Sequence, residues 1–153
     1  MRKKLARLNA ELTLLSAAVR HLRDAEHLAD ASSPRCSLDQ AYHLAGFGPE
    51  CARKAAIAAS WANKPLGHDL GDDAELVLEL AVALNSSASR YEVRGWEVVY
   101  PALAAWRPDC RYQATGTSSR SRTEPLLREA WLAATEIMAA MWADGRVALE
   151  ALQ

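Results

Sequence analysis

Residues 2–31 have the sequence RKKLARLNAELTLLSAAVRHLRDAEHLADA. Apolar residues recur there at alternating spacings of three and four, which is the pattern of a long helix with one narrow apolar seam. Thirty helical residues would extend roughly 45 Å, which is longer than a small bundle needs. We therefore expect the first turns either to project or to pack against a second copy of the chain. The leucine seam consists of Leu5, Leu8, Leu12, Leu15, Val19 and Leu22.

A second helix is predicted to begin near Ser37 and to end at about Trp61. Ser37 is a favourable N-cap, and Gln40 stands three residues later, as in a capping box. The centre of this helix is Ala45-Gly46-Phe47-Gly48-Pro49, where the proline is expected to cause a kink or a break. The two glycines permit the close approach of a neighbouring backbone or of a ligand. Of these two interpretations we favour close helix packing.

The rest of the chain is predicted to contain further helices and no sheet. A third helix is expected over roughly residues 72–84. Residues 90–106 are expected to form a short helix or an irregular segment packed by aromatic side chains, because no second strand is predicted with which a strand could pair. Residues 107–123 form the longest polar loop. Pro125 fits the first turn of a final helix, with Thr123 as its candidate cap.

Composition and charge limit the class of protein. Of 153 residues, 50% are hydrophobic and 24% are charged, which is typical of a soluble globular chain. Eighteen basic against nineteen acidic residues give a net charge of -1, which excludes a globally basic nucleic-acid binder but allows a local basic patch. No apolar run is long enough to cross a membrane, and a cytoplasmic location is expected. We predict one all-α domain over residues 1–153, a bundle of four main helices and one shorter helix.

No sequence motif indicates a metal, a cofactor or a covalent catalyst. The three cysteines, Cys36, Cys51 and Cys110, are far apart and never form a C-x-x-C pair, so neither a disulfide framework nor a structural zinc site is expected. The four histidines lack the spacing of metal ligands, and no nucleophile elbow or phosphate-binding loop is present. Cofactor binding is therefore not predicted.

Three short motifs carry a resemblance to a known family. The helix pair LRDAEHLADAS…LDQAYHLAGFGPECARKAAIAA ends in Glu50, Cys51 and Lys54, His68-Asp69-Leu70 follows it, and Arg111-Tyr112 precedes the last helix. In order and spacing these motifs resemble the HEPN superfamily of helical domains. Glu50 and Lys54 are also spaced as an ordinary helical ion pair.

The resemblance implies a bundle of four or five helices that dimerises. Members of the family cleave RNA or bind nucleotides and RNA, often beside a nucleotidyltransferase, in toxin–antitoxin or antiviral systems. The nuclease members use an arginine, four to six further residues and a histidine, near the final helices. Here the matching pair is Arg20 and His27, which lies in the first helix, and no histidine follows His68. The chain therefore departs from the nuclease pattern, and we expect a non-catalytic module.

If the arrangement of the family holds, five residues converge at one end of the bundle. The guanidinium groups would hold phosphate, and the ring of Tyr112 or Trp106 would stack on a base. The predicted ligand-binding residues are Arg53, Lys54, His68, Arg111 and Tyr112.

Other interpretations stay open. In one alternative, Tyr112 packs as an anchor of the loop and Arg111 pairs with Asp69 or Glu50. A metal-independent toxin-type ribonuclease would use Arg20 and His27. A protein-interaction module would use the leucine seam. The predicted partners are a second copy of the chain, a nucleotide or RNA, and a nucleotidyltransferase-type protein.

Overall fold

The computed structural model describes the backbone of residues 2–57 and 96–148 and the side chains of residues 11–57 and 96–148. These residues contain helices and no strand, which confirms the all-α class for this part of the chain. The predicted third helix and His68 lie outside the described residues. The elements are α1 (Arg2–Ala29), α2 (Leu38–Ile57), α3 (Trp96–Val99), α4 (Pro101–Ala104), a 3-10 turn (Pro108–Tyr112) and α5 (Arg120–Ala143).

The middle helix, α2, packs against both α1 and α5, and α1 and α5 also contact each other. The leucine seam of α1 faces this core: Leu15 and Leu22 are fully buried and Val19 is nearly so. Leu15 and Leu22 are therefore covered within a single chain and are not available to a second copy. Burial of such apolar faces, and not helix propensity, is what stabilises helices of this length.

The glycines of α2 serve close packing. A Cβ atom on Gly48 would lie 2.5 Å from Cγ of Leu22, and one on Gly46 would overlap the indole of Trp106. Positions 46 and 48 thus both require a residue without a side chain. This confirms that the two glycines allow close packing of neighbouring segments and not the approach of a ligand. Of the predicted kink or break at Pro49, the break is wrong, since α2 is continuous from Leu38 to Ile57. Pro49 is itself fully buried, and the packing around it holds the helix across the lost hydrogen bond.

Aromatic side chains fix the short helices to the core, as predicted for this segment. Trp96 and Trp106 are fully buried and Tyr100 is nearly so. Two carboxylates of α5 hold the same segment: the backbone N–H of Leu103 donates to Glu129 at 2.9 Å, and the Tyr100 hydroxyl donates to Glu136 at 2.6 Å.

The last helix begins earlier than predicted. Ser119 is the N-cap residue and α5 starts at Arg120, so the expectation that Pro125 lies in the first turn behind a Thr123 cap is wrong. The Thr123 hydroxyl donates to the Ser119 carbonyl at 2.9 Å, which adds a bond to the first turn. Pro125 in the second turn deprives only the carbonyl of Ser121 of its helical donor, at an exposed position where water can replace it.

Side chains at both ends of α2 join it to distant segments. At its start, the Asp39 carboxylate accepts the backbone N–H groups of Gly116 at 2.6 Å and Ser118 at 2.7 Å. At its other end, the Arg146 guanidinium donates to the carbonyls of Ala56 at 2.8 Å and Ala55 at 3.1 Å. The loop before α5 and the segment after it are therefore both bound to α2. None of the helices described is long and apolar enough to span a bilayer.

Candidate functional site

The 3-10 turn presents Arg111 and Tyr112 to solvent. The Tyr112 side chain is 77% exposed, and the guanidinium carbon of Arg111 lies 4.8 Å from the centre of its ring. The alternative in which Tyr112 packs as a loop anchor is therefore wrong, because the ring is stacked by Arg111 alone and remains in water. Nor does Glu50 pair with Arg111: it accepts from Lys54 at 2.6 Å, as the helical spacing predicted. Asp69 lies outside the described residues.

Beneath this exposed pair, the turn contacts α2 through a thiol and an imidazole. Sγ of Cys110 lies 3.4 Å from Nδ1 of His43. The imidazole packs edge-on against Phe47, with the ring centres 4.9 Å apart, and Phe47 in turn contacts Trp106 at 5.2 Å and His21 of α1 at 5.6 Å. A continuous row of rings therefore connects the exposed turn to the core.

Electrostatics keep the thiol and the imidazole neutral at physiological pH. Burial lowers the pKa of His43, the nearby Arg111 cation lowers it further, and His21 acts in the same direction when it is protonated. Burial raises the pKa of Cys110, although Arg122 acts in the opposite direction. Cys110 is therefore a protonated thiol near pH 7, which is the unreactive form. This pair has no activated nucleophile.

A second guanidinium lies beside the same contact. Arg122, in the first turn of α5, stacks on the Tyr42 ring at 4.5 Å and donates to its hydroxyl at 3.2 Å. Arg122 is close enough to Cys110 to lower its pKa, and Arg111 is close enough to His43 to do the same there. Two arginines thus flank one thiol–imidazole contact. We call this surface the basic face; it consists of Arg111, Tyr112, Arg122 and His43.

The structure does not bring Arg53 and Lys54 to this face. Arg53 is 3% exposed and its guanidinium lies 4.5 Å from the centre of the Trp96 ring, inside the protein. Lys54 is bound to Glu50. Both follow His43 by at least ten residues along a continuous helix, which places them roughly 15 Å from it along the axis. Of the predicted ligand-binding residues that the structure describes, only Arg111 and Tyr112 lie together, and these two are neighbours in sequence.

The candidate nuclease pair does not form a compact site either. Arg20 and His27 are both exposed on α1, and seven residues of helix separate them by about 10 Å along the axis. The histidine of α1 that enters a cluster is His21, whose pKa is lowered by burial and by Arg20.

Sequence reasoning missed His43 and Arg122 as members of the site. Each contacts a partner 67 or more residues away in the chain, so no local spacing in the sequence predicts the contact. The signal that was present is the alternation of arginines with an aromatic residue in the polar loop.

No group of three potential metal ligands occurs among the residues that the structure describes. No protein-family model, curated protein or solved structure matches this chain. The geometry of the basic face is therefore the basis for a functional proposal.

Proposed function

We propose that this chain is a non-catalytic, HEPN-like helical module that binds RNA or a nucleotide through the basic face. The observation that supports the proposal is the solvent-exposed stack of Arg111 on Tyr112. An exposed aromatic ring offers a surface on which an unpaired base can stack, and a guanidinium beside it can hold the adjoining phosphate. In this proposal Arg122 supplies a second phosphate contact, and His43 is the half-buried member of the basic face beside it.

Two observations, one on Cys110 and one on the pair Arg20 and His27, support the proposal that the module is non-catalytic. The Cys110 thiol is protonated near neutral pH, and Arg20 and His27 are too far apart along α1 to act on one phosphate within one chain. The resemblance described above extends the proposal to a cytoplasmic homodimer that supports a nucleotidyltransferase-type partner in a toxin–antitoxin or defence system.

Titration of the protein into a short, labelled, single-stranded oligoribonucleotide, followed by fluorescence anisotropy, tests the binding. Arg111→Glu is expected to weaken binding by more than tenfold. Tyr112→Ala is expected to remove one stacked base, worth about 1–3 kcal/mol. Arg128→Glu is the matched control, because Arg128 is also an exposed arginine. It lies in α5, six residues beyond Arg122 and on a different side of that helix.

The dependence of affinity on salt gives a second measurement. Two arginines that each neutralise one phosphate of a single strand predict a slope of log K against log salt of about −1.4, since each phosphate contributes about 0.7. Equal affinity of the Arg111→Glu and Arg128→Glu variants would refute the basic face as the site. RNA cut by the metal-free protein would refute the non-catalytic assignment, and a monomer by sedimentation would refute the dimer.

A further inference from the structure

An open groove lies between α1 and α5, away from the residues of the basic face. Its volume is about 300 Å³, at the lower end of the range of pockets that hold small molecules, roughly 300–1,000 Å³. The α5 wall is one stripe with spacings of four, three and four, and the α1 wall is one turn of helix. The lining side chains include Val19 and Arg23 of α1 and Trp131, Thr135, Met138 and Trp142 of α5.

The lining of the groove has the composition of a ligand site. Two indole rings, a thioether and a valine form the apolar walls, and the polar contribution comes from one guanidinium and one hydroxyl. The Trp142 side chain is 50% exposed at the edge of the groove. An apolar cleft with a few polar groups is the usual architecture of a small-molecule pocket.

The charge of the groove selects among apolar ligands. Among the lining residues that the structure describes, Arg23 is the charged one, and no carboxylate lines the groove beside it. Among the described residues Arg23 has no ion pair. A carboxylate oxygen is the partner that a guanidinium binds best. An apolar chain in the groove would therefore have its acidic end at Arg23 and its tail between the two indoles.

From this arrangement we propose that the groove is a binding site for a medium-chain carboxylate, that is, a small apolar molecule with one acidic end. This site is independent of the proposed RNA-binding function, because it shares no residue with the basic face. The indole rings and Met138 bury the tail, Arg23 binds the carboxylate, and Thr135 is a further hydrogen-bonding group of the wall.

Calorimetric titration with decanoate, and in parallel with decanol, tests the site. Saturable binding of decanoate is expected, together with weaker binding of decanol. Arg23→Gln should lower the affinity for decanoate about tenfold and leave decanol unchanged, whereas the matched variant Arg128→Gln should change neither. Ala139→Phe places a ring in the groove from an exposed lining position and should abolish both.

Two results would overturn the proposal. One is the absence of saturable decanoate binding, or binding that Arg23→Gln and Ala139→Phe leave unchanged. The other is a dimer of the unsubstituted protein that Ala139→Phe dissociates, because the occupant of the groove would then be a second copy of the chain. Thermal unfolding of each variant verifies that the groove is tested in a folded protein. RNA binding of Arg23→Gln should be unchanged, so failure of this site and failure of the basic face are distinguishable.

Discussion

Replacement of Gly46 by alanine tests the central packing contact of the fold. The added Cβ would lie 2.7 Å from Nε1 of Trp106 and still closer to Cδ2 and Cε2 of the same indole. Nonbonded heavy atoms need about 3.5–4.0 Å, so the helix or the indole must move by at least about 1 Å. Trp106 is fully buried and cannot turn into solvent. The substitution must therefore displace packed atoms.

The expected magnitude is a balance of two effects. Alanine is favoured over glycine within a helix by about 0.8–1.0 kcal/mol. Overpacking of a core costs about 1–3 kcal/mol and occasionally more, and an overlap with three ring atoms at a fully buried site favours the upper end. We expect a net destabilisation of about 2 kcal/mol, which for a chain of this size lowers Tm by about 4–8 °C.

Urea unfolding followed by circular dichroism measures this loss. The midpoint should fall while the slope of unfolding free energy against urea stays constant. Ser16→Ala, at an exposed position of α1, is the control and should change stability by less than about 0.5 kcal/mol. In a double-mutant cycle, Trp106→Phe should recover at least part of the loss, because the smaller ring makes room for the new methyl group. Gly46→Ala as stable as the unsubstituted protein would refute the packing argument.

Three further perturbations test the contacts that join the helices. Backbone hydrogen bonds from Gly116 and Ser118 lower the pKa of Asp39, so its stabilisation should be present above about pH 4 and lost as pH falls through the lowered pKa. Urea midpoints measured against pH should show this loss, and Asp39→Asn should lose less over the same range, because other carboxylates such as Asp30, whose pKa is also lowered, still titrate in the variant. Arg146→Met removes donors to two carbonyls and the ion pair with buried Glu11. A calorimetric scan should show a loss of about 2–3 kcal/mol in the free energy of unfolding. An unchanged free energy would refute the stabilising role of these contacts. Burial and the hydrogen bond to Glu136 raise the pKa of Tyr100 to about 12, so ultraviolet titration of Tyr100→Phe against the parent should differ only near pH 12.

The parts of the fold that depend on residues close together in the sequence were predictable from it. Ser37 precedes the first residue of α2 and accepts from the Gln40 N–H at 3.4 Å, as its chemistry indicates. The Glu50–Lys54 pair follows from helical spacing alone. The start of α5 was missed because Ser119 and Thr123 both suit an N-cap, and the choice between them depends on tertiary contacts such as the Ser118 N–H bound to Asp39 of another helix.

The candidate site divides in the same way. Arg111 and Tyr112 are adjacent in sequence, so their pairing was visible as a motif. Arg122 reaches its partner Tyr42 across 80 positions, and only the packing of α5 on α2 creates that contact. Arg53 was misassigned for the opposite reason: a cation in a helix is usually solvated, and nothing local to it indicates that Trp96 covers it.

The net charge of -1 is a property of the whole chain, and several carboxylates of the described residues are engaged by hydrogen bonds to other segments of the fold. Glu129 accepts from the Leu103 backbone and Glu136 from Tyr100, both between α5 and the short helices, while Asp39 accepts two N–H groups of the loop. These hydrogen bonds join segments 26 or more positions apart in the chain, whereas Arg111 extends into water. A net charge near zero over the whole chain therefore gives no argument against the binding of an anion at one face, because the charges near that face decide it.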